Sequence, residues 1–448
     1  MASSISSTVR GFERIGTHSH IKGLGVKDGK PLPVADGLVG QLEARKAAWI
    51  VVQIIKSGKM AGKAILLAGP PGTGKTALAI AIARELGTDT PFMALSASEV
   101  YSAEMKKTEV LMQAMRKSIG VRIREFRRVY EGMISKMDIK FDRHPYNPWQ
   151  QVPVGGKITL KTRDEERTFS VDSSIVTEML SKGIGEGDVV WIDEETGRVQ
   201  KVGKAKTSGS YDITSDRVVE IPKGSILKEK EFIHTVTLHD LDVAQSRSSS
   251  IISIFFGGPS EREISPEVRQ RVDETVKSWV DEGRAELIPG VLFIDDVHML
   301  DIECFSFLSR AMESELSPIL ILATNRGMTR IKGTDMVAPH GIPLDLLDRL
   351  LIITTRPYNR EEIEEIIKIR AKEERVELEE SALKKLTELG LERSLRYAVQ
   401  LLTPANMIAK ERGDSKILPE DIEAAAKLFV SVKESSNYLR KMEEMFLK

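Results

Sequence analysis

Cysteine, excess charge of either sign and long apolar runs are all scarce in this chain of 448 residues. The single cysteine, Cys304, excludes a disulfide within one chain and a cysteine-rich zinc site. No apolar run approaches the roughly 18 residues needed to span a bilayer, so a membrane role is not expected. The net charge of -1 gives no global basic field, so any nucleic-acid binding must come from local patches.

The N-terminal stretch MASSISSTVRGFERIG lacks the apolar core of a secretory signal and is too poor in arginine for an organelle transit peptide. We therefore expect a cytoplasmic protein, nuclear as well if the source is eukaryotic. Cys304 lies in the apolar-periodic stretch LDIECFSFL, which favours a buried core thiol. With 41% hydrophobic and 29% charged residues, the composition is that of a globular protein of two or three domains.

The segment GPPGTGKT, residues 69–76, fits the phosphate-loop pattern G-x-x-x-x-G-K-[ST]. An apolar stretch, KAILLAG, precedes it as a strand, and TALAIAIARELG follows with helical periodicity. In this context Lys75 can reach the β and γ phosphates of a nucleotide, and the Thr76 hydroxyl can bind Mg²⁺. The predicted ATP/ADP contacts of the loop are Gly69, Pro70, Pro71, Gly72, Thr73, Gly74, Lys75 and Thr76.

The stretch VLFIDDVHML, residues 291–300, predicts a buried strand that ends in two carboxylates. Because the chain also has a phosphate loop, we expect Asp295 to serve Mg²⁺ and Asp296 to polarise the attacking water. For Asp296, a solvated acid at a strand end is the alternative. Asn325 ends the strand of ILATNRG and is expected at the same sheet edge, although alone it could simply begin the turn before Gly327.

Residues 121–288 change character and interrupt the α/β pattern. They carry alternating β-type segments, including GDVVWIDEETGRVQKVG, which predicts a hairpin whose turn contains Thr196 and Gly197. A helix and one further βα unit would need only on the order of 50 residues between Lys75 and Asp295. We therefore predict a β-rich domain at 121–288 inserted into an α/β core of parallel strands, whose two parts are 1–120 and 289–357.

From Tyr358 onward the chain is predicted to be helical, and 358–448 to form a small helical domain. Asn359 and Glu362 have the spacing of a helix N-cap and its capping-box partner. Two more helices are expected to end at Gly390 and Gly413.

Several motifs together closely resemble the RuvB-like AAA+ ATPases, the pontin and reptin family. They are GPPGTGKT, VLFIDDVHMLDIECF, ILATNRG, HGIPLDLLDRLLII and SLRYAVQLLTPANMIAK, with THSHIKGLG near the N-terminus and KEFIHTVTLHDLDVA late in the insertion. The resemblance spans nearly the whole chain and is weakest in the middle of the insertion. It implies a P-loop AAA+ core, an inserted domain containing an OB-fold, a C-terminal helical lid, and homo-hexamers in one ring or two. Abundant Glu, Lys, Arg and Ile suggest an archaeal or archaeal-like member.

The resemblance also implies roles for three polar residues. Asn325 matches the sensor residue, and Arg349, in LLDRL, matches the arginine finger that reaches a neighbouring subunit's nucleotide. Without the resemblance, an ion pair of Arg349 with Asp345 or Asp348 is an equal alternative. Arg396, in SLRYAVQ, matches the second sensor, by which the lid presents a guanidinium to the phosphates.

Further nucleotide contacts are implied at the N-terminus and in the lid. His18 and His20 match positions that hold the nucleotide, and a metal at this pair is disfavoured because no carboxylate or cysteine cluster accompanies them. GLVGQ, residues 37–41, matches the loop lining the adenine pocket, against the plainer interpretation of a flexible turn. The remaining implied contacts are Gly37, Leu38, Val39, Gly40, Ala77, Tyr358 and Leu395.

The chain departs from the family pattern at Asp296, where the family has Glu. One methylene less withdraws the carboxylate by about 1.5 Å, and loss of a positioned base costs about 10² to 10⁴-fold in rate. We therefore expect normal ATP binding and slowed hydrolysis. A natural variant with a compensating backbone and an introduced substitution are both open explanations.

Three functions are compatible with the sequence. The first is an ATP-driven ring motor acting on DNA or RNA through the insertion, whose aromatic residues Tyr146, Trp149, Phe169 and Trp191 are typical of an OB-fold stacking groove. The same aromatic residues would equally serve a barrel core or a protein-docking face. The second function is an ATP-regulated scaffold or chaperone for protein partners, which near-neutral charge favours. The third is a nucleotide-binding structural subunit without useful turnover.

Overall fold

The computed structural model describes residues 18, 20–58, 64–87, 89–102, 104–144, 147–205, 218–249 and 263–446. These residues divide into two compact units. The first contains the described residues of Met1–Val121, Val236–Lys277 and Leu287–Lys448, and the second those of Arg122–Thr235 and Ser278–Glu286. The second unit thus lies within the predicted insertion of 121–288, whereas the described residues of 236–277 pack with the first unit.

A five-stranded parallel sheet forms the centre of the first unit, in the order Leu350–Thr354, Ala64–Ala68, Ile319–Thr324, Val291–Asp295 and Phe92–Ser96. The inner strands are apolar except at the last positions of two of them, Asp295 and Thr324, and are buried at almost every position, as expected for strands covered on both faces. Successive side chains alternate between two hydrophobic clusters, so that Leu66 lies in one and Ile65 and Leu67 in the other. This arrangement confirms the predicted α/β core.

Helices cover both faces of this sheet. Leu42–Lys56 and Lys75–Leu86 belong to one hydrophobic cluster, and Lys107–Lys117 and Ile302–Ala311 to the other. Cys304 is a free, buried thiol of the second cluster, as predicted. The helix Lys107–Lys117 ends two residues before the strand Ile119–His144 begins.

A buried network of ion pairs holds the returning helices Leu238–Ser249 and Pro266–Asp281 in the first unit. The guanidinium of Arg116 donates from two nitrogens to Asp242, which is fully buried, and at 2.8 Å to Asp273. Arg269 pairs with both carboxylate oxygens of Glu109, at 2.9 and 2.5 Å. Local periodicity carries no signal for these contacts, which explains why the sequence placed 236–277 with the insertion.

The second unit is β-rich. Its sheet contains the strands Ile119–His144, Asn147–Lys161, Glu166–Asp172, Asp188–Asp193, Val199–Ala205, Val218–Val219, Leu227–Thr237 and Ala285–Pro289. The helix Ser173–Ser181 separates the third strand from the fourth, and the predicted hairpin is present, with Gly197 at φ 67° in its turn. The amide of Arg124 donates to the carbonyl of Arg284 at 2.8 Å, so the first and last segments of this unit are neighbours. The OB-fold interpretation stays a prediction.

The C-terminal part is helical, as predicted. Its helices are Arg360–Glu373, Glu380–Glu392, Leu395–Gln400, Leu402–Glu411, Pro419–Leu428 and Val432–Phe446. Asn359 and Glu362 form the predicted capping box, and Gly413, at φ 92°, follows the fourth of these helices. The prediction for Gly390 was wrong, because it lies inside a helix. A Cβ at Gly390 would be 2.9 Å from Ile363 Cγ2, so this glycine lets two lid helices pack closely.

Short elements complete the described chain. Paired strands are Val26–Lys27 with Lys30–Pro31, Val34–Ala35 with Leu38–Val39, Met328–Arg330 with Val337–Pro339, and Glu377–Leu378 with Lys416–Ile417. Single helical turns occupy Ala97–Val100, Val297–Met299 and Leu344–Leu347. Within the described ranges, no helix is both long enough and apolar enough to cross a membrane.

Candidate nucleotide-binding site

The phosphate loop connects the strand Ala64–Ala68 to the helix Lys75–Leu86. Gly72 and Gly74 have φ angles of 79° and 82°, in the left-handed region that favours glycine. No described side chain caps the start of the helix, so its first N–H groups are available to an anion. The loop therefore has the backbone shape and the donors that a phosphate group requires.

Lys75 folds back over this loop. Its ammonium donates to the carbonyl oxygens of Gly69 at 2.9 Å and Pro70 at 2.8 Å. Burial lowers the pKa of Lys75, and the carboxylates of Asp295 and Asp296 partly oppose that shift. The Lys75 ammonium is thus near both carboxylates, but its hydrogen bonds go to uncharged carbonyl oxygens. A phosphate would be a stronger partner for this ammonium.

Two threonines tie the loop to the end of the sheet. The hydroxyls of Thr73 and Thr355 are 2.6 Å apart, and the amide of Thr355 donates to the carbonyl of Ala68. A Cβ at Gly69 would lie 2.2 Å from the Thr355 hydroxyl, so only glycine fits there. Sequence reasoning missed Thr355, since nothing in its local pattern marks it.

Asp295, Asp296 and Asn325 meet at the carboxyl edge of the sheet. Asp295 ends the strand Val291–Asp295, and its carboxylate accepts a hydrogen bond of 2.9 Å from the amide of Asp296. Asp296 has a left-handed backbone, with φ 50° and ψ 43°. The Asn325 amide donates to Asp296 Oδ1 at 3.3 Å. The predicted juxtaposition of these three side chains is therefore present.

His298 is a further polar residue at this edge. Its Nδ1 atom is 3.5 Å from the hydroxyl of Thr324, which precedes Asn325 on the neighbouring strand. Burial lowers the pKa of His298, with the Asp296 charge opposing the shift. The neutral imidazole therefore links the Asp296 turn to the Asn325 strand. The motif VHML contained this residue, but its spacing alone gave it no role.

Arg349 is exposed and lies away from the loop residues of its own chain. Its guanidinium pairs with Glu313 at 2.5 Å, and in the described ranges it has no ion pair with Asp345 or Asp348. Both partners are solvent-accessible, at 42% and 58%, so this pair is worth little free energy. Arg349 can exchange Glu313 for another anion, which leaves its predicted role in trans open.

Arg396 is exposed on the short helix Leu395–Gln400 of the lid, where Ser394 caps the helix. Its charge contributes to lowering the pKa of both Lys75 and His18, after the larger effect of burial. Arg396 is therefore within electrostatic range of Lys75 in the phosphate loop and of His18. Leu395 packs on the lid core beside it.

His18 and His20 are near each other in the N-terminal part of the chain. Their ring centroids are 6.4 Å apart, and burial lowers the pKa of both, with Arg370 adding to the shift. The Nδ1 atom of His20 is buried without a hydrogen-bond partner among the described residues. Among the residues that the structure describes, no group of three or more His, Cys, Asp or Glu side chains is placed to hold a metal ion.

The segment GLVGQ is tightly held. Leu38 and Val39 are buried in a short two-stranded ladder, and Gly37 and Gly40 have φ angles of 82° and 60°. A Cβ at Gly37 would meet the His20 carbonyl at 2.3 Å. The same atom at Gly40 would meet the Glu362 carboxylate at 2.1 Å. The alternative of a flexible turn therefore does not describe this segment.

Tyr358 connects this segment to the phosphate loop. Its hydroxyl lies 2.5 Å from where a Cβ of Gly74 would be, and its side chain is close to that of Gln41. Burial raises the pKa of Tyr358 to about 12, so the hydroxyl is protonated at neutral pH. The predicted contacts near the N-terminus, in the loop and in the lid thus converge on one place.

The aromatic side chains of the second unit form two groups. Phe169 is 4.7 Å from Tyr130 and carries the Arg167 guanidinium over its ring, and Trp191 lies edge-on to Phe232 at 5.1 Å. Tyr146 lies outside the described residues, and so does the side chain of Trp149. The prediction of a stacking groove thus finds two of its four aromatics in the described part, on partly exposed strands.

Comparisons with known proteins agree with this geometry. A family model described as the TIP49 P-loop domain matches residues 14–361, and one described as the TIP49 AAA-lid domain matches residues 366–431. RuvB-like helicase 1 of Aedes aegypti is 46% identical over 451 residues, which cover 99% of each chain. The chain therefore belongs to the TIP49 family of RuvB-like AAA+ ATPases, the pontin and reptin family.

Proposed function

We propose that this protein binds ATP with Mg²⁺, hydrolyses it slowly in a homo-hexameric ring, and uses the cycle to remodel nucleic acid. The proposal is carried by two observations at the phosphate loop: the charges of Asp295, Asp296 and Arg396 act on Lys75, and Asn325 donates to Asp296. Ligands of open α/β sheets bind at this edge, beyond the carboxyl ends of the strands.

The residues at the edge fit a nucleotide–Mg²⁺ complex. Thr76 lies in the first turn of an uncapped helix, and Asp295 is close enough to influence the pKa of Lys75. A hydroxyl and a carboxylate are the hard oxygen donors that Mg²⁺ prefers, and two protein ligands suffice because phosphates and water supply the rest. When bound, the ion neutralises charge on the transferring phosphoryl group.

Each polar side chain of the site has a separate role in hydrolysis. Lys75 leaves its carbonyl partners for the phosphates, where its charge is better matched. Asp296 orients and polarises the attacking water, and Asn325 fixes the carboxylate through the 3.3 Å hydrogen bond. We assign Arg396 to the phosphates from the lid and Arg349 to the nucleotide of a neighbouring subunit. This use of Arg349 makes turnover depend on assembly.

The N-terminal histidines, the GLVGQ segment and Tyr358 complete the pocket in this proposal. His18 is within electrostatic range of Arg396, and the unsatisfied Nδ1 atom of His20 is available to a ligand. Gly37, Leu38, Val39 and Gly40 line the base, with Ala77, Tyr358 and Leu395 closing the site. Neutral histidines contact a nucleotide without adding charge, which fits their lowered pKa values.

A first experiment tests nucleotide binding. Lys75→Ala should weaken ATP binding about 100-fold, because it removes a charge-assisted bond to the phosphates. Lys56→Ala, at the exposed end of a neighbouring helix, is the matched control. Titration calorimetry measures both affinities, and sedimentation with and without ATP measures ring formation. Equal affinity of the two variants would rule out the proposed loop chemistry.

Nucleic acid is the favoured substrate because the second unit carries partly exposed aromatic and cationic side chains together. The Arg167 guanidinium over Phe169 and the contact of Trp191 with Phe232 are features on which bases stack. The relative from Aedes aegypti is named a helicase. A strand-displacement assay with ATP, comparing the parent chain with Lys75→Ala, tests the motor directly.

The second candidate is an ATP-regulated scaffold or chaperone for multiprotein complexes. The net charge of -1 favours it, because a dedicated nucleic-acid motor usually presents a stronger basic field. A pull-down for protein partners should be run beside the strand-displacement assay. ATPase activity that no DNA or RNA changes, together with stable protein partners, would favour the scaffold over the motor.

A further inference from the structure

The segment 355–359 joins the last strand of the sheet, Leu350–Thr354, to the first lid helix, Arg360–Glu373. It is held at three successive points. The Thr355 hydroxyl meets Thr73 of the phosphate loop, the backbone of Arg356 meets Gln41, and the Tyr358 hydroxyl lies against Gly74. This hinge segment is therefore in contact with both the phosphate loop and the GLVGQ segment.

The contact of Gln41 with the hinge is a two-point clamp. The Gln41 Nε2 atom donates to the carbonyl of Arg356 at 2.5 Å, and Gln41 Oε1 accepts from the Arg356 amide at 3.2 Å. One side-chain amide thus satisfies both backbone groups of one hinge residue, as a neighbouring strand would. Gln41 is only 7% exposed, so water competes little for these bonds.

Hydrogen bonds fix the backbone on both sides of the contact between Gln41 and Arg356. Gln41 precedes the helix Leu42–Lys56 in a left-handed conformation, with φ 49°. One turn later, the fully buried guanidinium of Arg45 donates to the carbonyls of Gly40, Leu24, Gly25 and Leu32. On the hinge side, the Glu362 carboxylate caps the lid helix and pairs with the Arg356 guanidinium at 2.6 Å.

The position of the hinge determines where the lid presents Arg396. Ile363 of the first lid helix and Tyr397, next to Arg396, belong to one hydrophobic cluster, so the two helices pack in one core. A change in the backbone at Arg356 is therefore transmitted to Arg396. Gln41 belongs to the same GLVGQ segment that packs against His20 and Glu362.

We propose that Gln41 is a positioning residue that clamps the lid hinge and thereby holds Arg396 at the phosphates. The inference rests on the proposed function, since it takes Arg396 as a phosphate contact. Gln41 touches no reacting group in this scheme. It acts through the backbone of Arg356, so its loss should reduce turnover more than nucleotide affinity, which the phosphate loop dominates.

The test compares Gln41→Ala with Gln53→Ala, which changes an exposed glutamine of the same helix. Hydrogen exchange reports on the Arg356 amide. Spin labels at Lys56→Cys in the core and Lys384→Cys in the lid, both exposed positions, measure the distribution of core-to-lid distances. Cys304 is buried, so the labels attach only to the two introduced cysteines. Steady-state kinetics and ADP titration complete the set.

We expect Gln41→Ala to accelerate exchange of the Arg356 amide about tenfold, widen the distance distribution, and lower kcat about tenfold, since two buried hydrogen bonds are lost. ADP affinity should change less than about threefold, and Gln53→Ala should match the parent. A second variant, Gln41→Glu, keeps the acceptor and loses the donor. It should protect the Arg356 amide while the distance distribution still widens.

Unchanged exchange and distances in Gln41→Ala would overturn the clamp. A wider distribution with an unchanged kcat would overturn the positioning role. If the parent chain hydrolyses no ATP and Lys75→Ala binds it normally, the proposed function fails instead. In that case, hydrogen exchange at Arg356 and the spin-label distances still test whether Gln41 clamps the hinge.

Discussion

Lengthening the side chain at position 296 should restore fast ATP hydrolysis. In the structure the Asp296 carboxylate is held at the sheet edge by Asn325, at 3.3 Å, and its backbone is fixed at φ 50°. Asp296→Glu extends the carboxylate by about 1.5 Å from a fixed backbone. Because general-base positions tolerate little error, an extension of this size should raise kcat about 100-fold.

The same change should leave ADP affinity unaltered, because Lys75, Thr76 and Asp295 are untouched. It should lower the free energy of unfolding by about 1 kcal/mol, since aspartate suits a left-handed backbone better than glutamate does. Steady-state phosphate release measures kcat, and urea denaturation measures stability. Asp345→Glu adds the same methylene at an exposed site and is the matched control.

Equal turnover of Asp296→Glu and the parent would refute the reasoning. It would mean that the left-handed turn already brings the shorter carboxylate to the water. A rise in turnover matched by Asp345→Glu would also contradict it, because the effect would then not be local.

Three further predictions follow from the described contacts. Arg349→Ala should lower turnover of the assembled protein about 10³-fold, whereas Glu313→Ala, which removes its exposed ion-pair partner, should not lower it. Arg45→Met should lower the free energy of unfolding by about 3 kcal/mol in urea denaturation, because buried carbonyls lose their donor. Stability should also fall as the pH drops below 6.5, since burial holds several histidine pKa values beneath that unfolded value. These histidines are His18, His20, His239 and His298.

Each of these outcomes has a direct counter-result. Undiminished turnover in Arg349→Ala would show that Arg349 does not act on the nucleotide of a neighbouring subunit. Lys46→Met, at the exposed position next to Arg45, should be nearly neutral, and a loss equal to that of Arg45→Met would show that the buried carbonyls are not the cause. For the histidines, the neutral form is favoured in the folded state. Their contribution is therefore complete above the unfolded pKa and is lost on acidification, so constant stability from about pH 7 to about pH 5 would contradict the assignment.

The sequence predicted the core sheet well because its strands are short and mostly apolar, with polar residues at or just after their ends. Asp295, Asp296 and Asn325 could be placed together for that reason, and the structure has them in contact. The capping box at Asn359 was equally visible, because its signal is local.

The misses share a physical cause, which is contact between residues distant in sequence. Gln41 clamps Arg356 and Arg116 pairs with Asp242, and no periodicity records either contact. Gly390 misled the prediction because glycine serves two purposes, ending helices and permitting close packing between them. A single sequence does not distinguish these purposes.

The inserted unit also has a consequence for how the chain folds. The strands Phe92–Ser96 and Val291–Asp295 are neighbours in the sheet, yet about 200 residues separate them, which makes their pairing slow. The hydrogen bond between Arg124 and Arg284 brings the ends of the insertion together. If the insertion folds first, it shortens the loop to be closed to roughly 40 residues and saves about 1.5 kcal/mol of closure entropy. In a chain synthesised from its N-terminus, the whole insertion is made before Asp295 and Asn325, so it can fold before the nucleotide site is complete.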